Sequence, residues 1–158
     1  DKDKKRLIKL KENIKRLNLE NINAMCLDIT TTKINKTDKM LLDAPCSGTG
    51  VMSKKADLRW RRSQDEILEM HLLQRKILWS AANFIKPNGL IVYSTCSIEI
   101  DENNMVIDAF LKAHPQFNIE SAVDFIPEKY IDERGCMNIF SPKHKIDGGF
   151  AVRLRKDA

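Results

Sequence analysis

The sequence predicts an α/β domain in which strands and helices alternate along one parallel sheet. Two apolar runs, residues 39–42 and 90–93, have the length and composition of buried strands, and each breaks directly into polar, turn-forming residues. A long amphipathic segment with its own capping signal lies between them. This strand–helix–strand–helix alternation is typical of a parallel sheet covered by helices.

A helix and a short strand are expected before the first run. Leu7, Leu10, Ile14 and Leu17 recur at helical spacing and predict an amphipathic helix over residues 3–17. Its lysines fall mostly on the other side, which is typical of a solvated face, although a face that contacts nucleic acid has the same pattern. Residues 21–27 have the composition of a short strand, and residues 29–37 that of a polar loop.

The elements after the first run continue the alternation. Ser63 and Glu66 form a capping box that opens a long helix, whose apolar face extends to Ile85 before Pro87-Asn88-Gly89 ends it. A strand over 90–95 and a helix over about 101–113 follow. Residues 117–120 are a candidate strand, residues 125–145 look irregular, and residues 149–155 alternate as a closing strand.

Composition limits the class of protein. A chain of 158 residues with 42% hydrophobic residues can build one domain with a real core. It contains no apolar run of 18 residues and no apolar signal region near its start, so we expect neither a membrane span nor secretion. A cytoplasmic location is expected, with an organellar or nucleolar one as alternatives. The net charge of +5 is compatible with a polyanionic partner.

The cysteines do not form a metal-binding pattern. The four cysteines, at positions 26, 46, 96 and 136, contain no C-x-x-C pair, and the three histidines are scattered. We therefore expect no metal site, and thiols that stay reduced.

The ends of the two strands carry groups suited to catalysis. Asp43 and Cys46 follow the first strand and Cys96 follows the second, and ligands of an open parallel sheet bind at the carboxyl ends of its strands. A thiol is a strong nucleophile once it is ionised, so two cysteines there could divide the work of attack and proton transfer. The alternatives are two buried structural cysteines and an aspartate that caps a turn.

These two segments resemble motifs of a known enzyme family. Asp43-Ala-Pro-Cys-Ser-Gly-Thr-Gly-Val, with Ser94-Thr-Cys-Ser, is similar to the RNA cytosine-C5 methyltransferases, most closely to the RsmB/Sun (Fmu) branch of the RsmB/NOP family. Lys55-Ala-Asp-Leu-Arg-Trp-Arg and Asp147-Gly-Gly-Phe-Ala-Val-Arg-Leu resemble further segments of that branch. The resemblance implies a class I S-adenosylmethionine-dependent, Rossmann-like fold with helices on both faces of the sheet, and methylation of small-subunit ribosomal RNA.

The resemblance also implies a role for each matching residue. Cys96 would add to C6 of the cytosine, Cys46 would assist loss of the C5 proton and release of the RNA, and Asp43 would contact N3 and the exocyclic amine. Asp1 would bind the ribose hydroxyls of S-adenosylmethionine and Asp28 its adenine amine, with Asp43 also beside the cofactor. RNA contacts are expected from the basic segment after the first motif, at Lys54, Lys55, Arg59 and Arg61. Trp60 could stack on a base or anchor this segment to the domain.

The sequence departs from the family at its start. The first strand and the glycine-rich loop of the family have no counterpart in these residues, and in the family's strand order, 3-2-1-4-5-7-6, the missing strands would lie between strands 22–26 and 39–42. We therefore expect a single partial catalytic domain that binds S-adenosylmethionine weakly or not at all by itself and that is possibly inactive. Methylation of transfer RNA or large-subunit ribosomal RNA, and a non-catalytic RNA-binding fragment, are the alternatives.

Overall fold

The computed structural model describes residues 1–158 and divides into two compact units, residues 1–34 and 35–158. The first unit contains helix α1 (Lys4–Arg16), as the apolar spacing predicted. Asp3 caps this helix, because its carboxylate accepts a hydrogen bond from the backbone N–H of Lys5 at 2.8 Å. Of the predicted apolar stripe, only Leu7 is buried.

The strand predicted at residues 21–27 is wrong. Only two backbone hydrogen bonds join this segment to another one: Leu27 donates to the carbonyl of Asp1 at 3.1 Å, and the amino group of Asp1 donates to the carbonyl of Met25 at 3.3 Å. A strand is defined by a ladder of such bonds. Two bonds to the first residue of the chain are too few to build one.

The second unit is built on a five-stranded mixed sheet. Its strands are β1 (Thr37–Asp43), β2 (Ile85–Thr95), β3 (Phe117–Glu120), β4 (Met137–Ile139) and β5 (Gly149–Lys156). They lie in the order β1-β2-β5-β3, with β4 also paired to β5, which is the 4-5-7-6 end of the family's strand order. Only β1 and β2 are parallel, since β5 runs antiparallel to its three neighbours. The expectation of a parallel sheet therefore holds for one strand pair, β1 and β2. The segment predicted to be irregular, residues 125–145, contains strand β4.

The helices of this unit are α2 (Leu58–Arg61), α3 (Gln64–Ala82), α4 (Asn104–Ala113) and α5 (Ser141–His144). The predicted capping box of Ser63 and Glu66 is present at the start of α3. The predicted end of α3 is wrong by about four residues, because the backbone from Phe84 onward pairs with β1 instead. The carbonyl of Phe84 accepts from the amide of Thr37 at 2.8 Å, and Ile85 already lies opposite Thr37 in the sheet.

The core lies on the face of the sheet that α3 and α4 cover. Tyr93 of β2, Phe110 of α4 and Leu78 of α3 are fully buried. The ring of Phe110 packs edge-on against Trp79 of α3 and Phe117 of β3, with ring centroids 5.3 and 5.1 Å apart. These contacts fix α3 and α4 on the sheet. No helix combines the length and hydrophobicity that crossing a membrane requires.

The opposite face of the sheet is more open and more charged. Leu41 of β1 is 70% exposed there, beside a cavity of about 550 Å³. On the neighbouring strands, Glu120 of β3 forms ion pairs with Arg153 and Arg155 of β5, the second at 2.6 Å. The two guanidinium groups, Arg155 first, hold the pKa of the Glu120 carboxyl below its usual value.

This cross-strand ion pair predicts a pH-dependent contribution to stability. Because the pKa of Glu120 is lower in the folded state, the contribution is complete above the ordinary glutamate pKa of about 4.3 and is lost as the pH falls through the folded value. Glu120→Gln should lower the free energy of unfolding by about 1 kcal/mol at pH 7, and the deficit should shrink on acidification. Denaturant unfolding of both proteins from pH 7 to pH 3 measures it, with Glu128→Gln as control. A deficit that does not change with pH would contradict this prediction.

Candidate active site

The loops that follow β1 and β2 leave the sheet side by side. The two strands are parallel, with Asp43 opposite Ser94, and the amide of Ala44 donates to the carbonyl of Ser94 at 2.9 Å. Both strands therefore deliver their next residues at the same edge of the sheet. Cys46 follows three residues after Asp43, and Cys96 two residues after Ser94.

The two thiols meet at this edge. The sulfur atoms of Cys46 and Cys96 are 3.3 Å apart, and both cysteines are free. Cys96 is exposed, whereas Cys46 is partly buried. Neither sulfur is sealed inside apolar packing, so the alternative of two buried structural cysteines does not describe this pair.

The surroundings of Cys46 favour its neutral form. Burial, and then the hydrogen bond and charge of the neighbouring Cys96 sulfur, raise the pKa of the Cys46 thiol to about 12. The backbone N–H groups of Cys96 and Gly48 oppose this rise without cancelling it. At neutral pH the pair therefore keeps a proton on Cys46.

Asp43 is the last residue of β1, and its side chain is exposed. Side chains alternate along a strand, so Asp43 shares the open face of the sheet with Leu41 rather than the face covered by α3 and α4. An exposed carboxylate at a strand end can accept hydrogen bonds from a ligand that lies over this edge.

A buried polar network holds both cysteine loops, and the sequence did not predict it. Glu102 and Gln74 are fully buried, and Asn103 is 5% exposed. Their side chains bond to the residues that flank Cys46, which are Pro45 and Ser47, and to those that flank Cys96, which are Thr95 and Ser97. The available signal was the polar run Glu99-Ile-Asp-Glu-Asn-Asn before α4, but such a run has the composition of an ordinary helix start.

The basic segment after the first loop is only partly available to a ligand. Lys54 pairs with Asp147 at 2.5 Å and Arg61 pairs with Asp57 at 3.2 Å, whereas Lys55 and Arg59 are exposed and form no ion pair. Lys54, and then Ser53, lower the pKa of Asp147. The interpretation of Trp60 as an anchor is wrong, since its side chain is 85% exposed.

The two acidic residues proposed for the adenosine end of the cofactor lie in the first unit. The carbonyl of Asp1 accepts from the amide of Leu27 at 3.1 Å, so Asp28 is on the segment beside Asp1. The Asp28 carboxylate accepts from the backbone N–H and the hydroxyl of Thr30, at 2.8 and 2.7 Å. Two neighbouring carboxylates suit the donors of adenosine, which are its ribose hydroxyls and its adenine amine. No group of three or more potential ligands is arranged around a metal.

The fold is that of a class I, Rossmann-like methyltransferase. The strand order defines it, together with the one strand, β5, that runs antiparallel to its neighbours. The sequence profile described as 16S rRNA methyltransferase RsmB/F matches residues 1–155. The chain belongs to this family, whose cofactor is S-adenosylmethionine.

Relatives and solved structures agree with the family. The probable ribosomal RNA small subunit methyltransferase B of Bacillus subtilis is 34% identical over 93% of this chain, and the methyltransferase B of Shewanella oneidensis is 35% identical over 99%. The structure of NSun6 from Pyrococcus horikoshii with SFG superposes on all of this chain and 40% of its own, with a TM-score of 0.87 and 31% identity. The chain spans about a third of the length of the two curated relatives, 34% and 36%.

Proposed function

We propose that this chain is the carboxyl-terminal part of the catalytic domain of an RNA cytosine-C5 methyltransferase. The observation that carries the proposal is the pair of free thiols, 3.3 Å apart, at the ends of adjacent parallel strands. Relatives named as ribosomal RNA small subunit methyltransferase B support small-subunit ribosomal RNA as the substrate. These relatives are bacterial, which favours a cytoplasmic place of action.

Carbon C5 of cytosine is a poor nucleophile, and the proposed chemistry begins by activating it. The sulfur of Cys96 adds to C6, so the electrons of the C5–C6 double bond become available at C5. The Asp43 side chain lies against N3 and the exocyclic amine of the cytosine and favours the adduct that is protonated at N3. S-adenosylmethionine, when bound, supplies the methyl group that C5 takes up. Cys46, after giving its own thiol proton to water, takes up the C5 proton, which restores the double bond and expels the Cys96 sulfur as a thiolate.

The exposure of the two sulfurs supports this division of roles. Cys96 is the exposed member and can reach a base that has left its stack, whereas Cys46 is partly buried behind it. The raised pKa keeps Cys46 neutral beside the Cys96 sulfur. Of the two thiols, Cys96 is therefore the one placed to attack the base.

Formation of the adduct itself prepares Cys46 to act as a base. Burial is the largest cause of the raised pKa of Cys46 and persists in the adduct, whereas the two smaller causes are the hydrogen bond to Cys96 and the charge on Cys96. Both disappear once the Cys96 sulfur is bonded to carbon, while the backbone N–H groups of Cys96 and Gly48 continue to stabilise a thiolate at Cys46. The part of the rise in the Cys46 pKa that comes from Cys96 is therefore removed at the step in which a base is needed.

The remaining contacts divide between cofactor and RNA. Asp1 and Asp28 would hold the ribose hydroxyls and the adenine amine of S-adenosylmethionine, and Asp43 would contact the base. Lys55 and Arg59 contact phosphates directly, and Trp60 offers an exposed ring for stacking on a base. Lys54 and Arg61 can join them after leaving Asp147 and Asp57.

A fluorinated substrate tests the proposed function. In RNA that contains 5-fluorocytidine, C5 carries no proton for Cys46 to remove, so the enzyme should stay bonded to the RNA after methyl transfer. We expect the complete gene product, given S-adenosylmethionine, to form a denaturant-resistant complex with fluorinated small-subunit ribosomal RNA. Mass spectrometry should then place the linkage on the peptide that contains Cys96.

The controls separate this chemistry from simple RNA binding. Unmodified RNA and reactions without S-adenosylmethionine should give no complex that survives denaturation. A complex with transfer RNA or large-subunit RNA alone would change the assigned substrate. Absence of a covalent complex with all three RNAs would contradict the proposed function and favour a non-catalytic RNA-binding protein.

A further inference from the structure

Two consecutive buried residues, Glu102 and Asn103, connect the loops that carry the two thiols. They lie between β2 and α4, and their side chains point in different directions along the edge of the sheet. Glu102 bonds to the residue after Cys46, and Asn103 bonds to the residues on both sides of Cys96. We propose that Glu102 and Asn103 are positioning residues that set the distance between the two thiols.

The Glu102 carboxylate fixes the loop of Cys46. It accepts the backbone N–H of Ser47 at 2.8 Å and also the Ser47 hydroxyl. Gln74 of α3 completes the attachment, because its amide nitrogen donates to Glu102 at 3.0 Å and to the carbonyl of Pro45 at 2.8 Å. The residues before and after Cys46 are therefore both tied to this buried pair.

The Asn103 amide fixes the loop of Cys96. Its oxygen accepts from the hydroxyl of Thr95 at 2.6 Å, and its nitrogen donates to the carbonyl of Ser97 at 3.0 Å. The residues before and after Cys96 are thus both bonded to one side chain. The backbone also holds this segment in place, since the carbonyl of Glu102 accepts from the buried hydroxyl of Tyr93 at 2.8 Å.

The chemistry of the two side chains matches their partners and cannot be exchanged. Glu102 faces three donors, the Ser47 N–H, the Ser47 hydroxyl and the Gln74 amide, and a carboxylate is an acceptor only. Asn103 faces one donor and one acceptor, which its amide serves together and an ionised carboxylate cannot. Glu102→Gln would place an N–H₂ group against donors, and Asn103→Asp would place an oxygen against the Ser97 carbonyl.

A reagent that needs two close thiols measures the positioning directly. Phenylarsine oxide reacts with two thiols, so that two arsenic–sulfur bonds form and the arsenic-bound oxygen leaves as water with both thiol protons. Residues 1–158 should bind one equivalent, with loss of the Cys46 and Cys96 thiols and release by a competing small dithiol. Cys46→Ala and Cys96→Ala should each abolish this capture.

The proposal predicts a selective effect at positions 102 and 103. Glu102→Gln and Asn103→Asp should each weaken capture at least 10-fold, because each releases one thiol loop from its attachment. Asp101→Asn and Asn104→Asp make the same chemical changes one position further out, and both should capture the reagent as the unchanged protein does. Thermal unfolding of every variant shows whether it is folded at the assay temperature.

The main variants and their controls can overturn the proposal in two ways. One is a folded Glu102→Gln or Asn103→Asp protein that has a lower melting temperature but unchanged capture, which would make these residues structural only. The other is an equal loss of capture in the two control variants. If either main variant does not fold, Ser47→Ala and Thr95→Val replace them, because Ser47→Ala removes one hydrogen bond to Glu102 and Thr95→Val removes one to Asn103. Each should weaken capture about threefold. Unchanged capture in both would also overturn the proposal. The assay uses neither RNA nor cofactor, so its outcome is independent of the proposed methyl transfer.

Discussion

Replacing Cys96 by alanine in the complete gene product should abolish both the covalent RNA complex and the methylated product. Replacing Cys46 by alanine should instead leave a covalent complex that accumulates even with ordinary cytosine in the RNA. The difference arises because Cys96 makes the bond to C6, whereas Cys46 removes the proton whose loss breaks that bond. Loss of the nucleophile should lower the rate of methylation on the order of 10³-fold or more.

Denaturing gels with labelled RNA and quantification of 5-methylcytosine measure the two outcomes. Cys26→Ala and Cys136→Ala are matched controls, since Cys26 is exposed like Cys96, and Cys136 is buried with its thiol pKa also raised to about 12. Both should methylate RNA normally and show no trapped complex. Accumulation of the complex in Cys96→Ala rather than Cys46→Ala would reverse the assigned roles, and the same outcome in both variants would contradict them.

The meeting of the two thiols could be expected from the sequence because it depends on local signals. Residues 39–42 and 90–93 are short apolar runs that end in polar turns, and both lie in strands of the structure. A helix separates them, which favours a parallel pair, and parallel strands end at the same edge. The strand order followed from the resemblance to the family, because local patterns do not determine which strands are neighbours.

The attachment of the two loops could not be predicted, because it depends on contacts distant in sequence. Glu102 bonds to Ser47 across 55 positions, and Gln74 lies on a helix whose pattern predicts only which face is buried. A buried carboxylate and a solvated one at a helix start look the same in the sequence. The residues proposed to set the geometry were therefore absent from the predicted site, while the residues proposed to react were in it.

The errors in the fold have a similar cause. Residues 21–27 have strand composition but no adjacent strand to pair with, and Phe84 and Ile85 extend a helical pattern but are drawn into pairing with Thr37. In each case the presence or absence of a neighbouring strand to hydrogen-bond with determined the local structure, and the local sequence propensity did not. The position of Trp60 could not be predicted for a related reason. The sequence around an indole in a basic segment does not say whether the ring packs against the domain or is exposed.

A methyl group added at Gly50 should disturb the active-site edge more than one added at Gly48, two residues away. Gly50 lies between the two loops and β5: its amide donates to the carbonyl of Cys96 at 2.9 Å, and its carbonyl accepts from the amide of Gly148 at 2.7 Å. A Cβ at Gly50 would lie 2.6 Å from the carbonyl carbon of Gly148 and 2.8 Å from the carbonyl oxygen of Cys96. These are backbone atoms, so relief requires the Cys96 loop or the start of β5 to move.

We therefore expect Gly50→Ala to lower the free energy of unfolding by about 3 kcal/mol and to weaken dithiol capture by Cys46 and Cys96 at least 10-fold. At Gly48 a Cβ would lie 3.5 Å from the Leu58 side chain, an ordinary contact, and the cost comes only from its φ of 76°. Gly48→Ala should accordingly cost about 1 kcal/mol and leave capture unchanged, because its only penalty is the left-handed conformation. Denaturant unfolding and titration with phenylarsine oxide measure both variants. Equal losses at the two positions would contradict the role assigned to the close approach of Cys96 and Gly148 to Gly50.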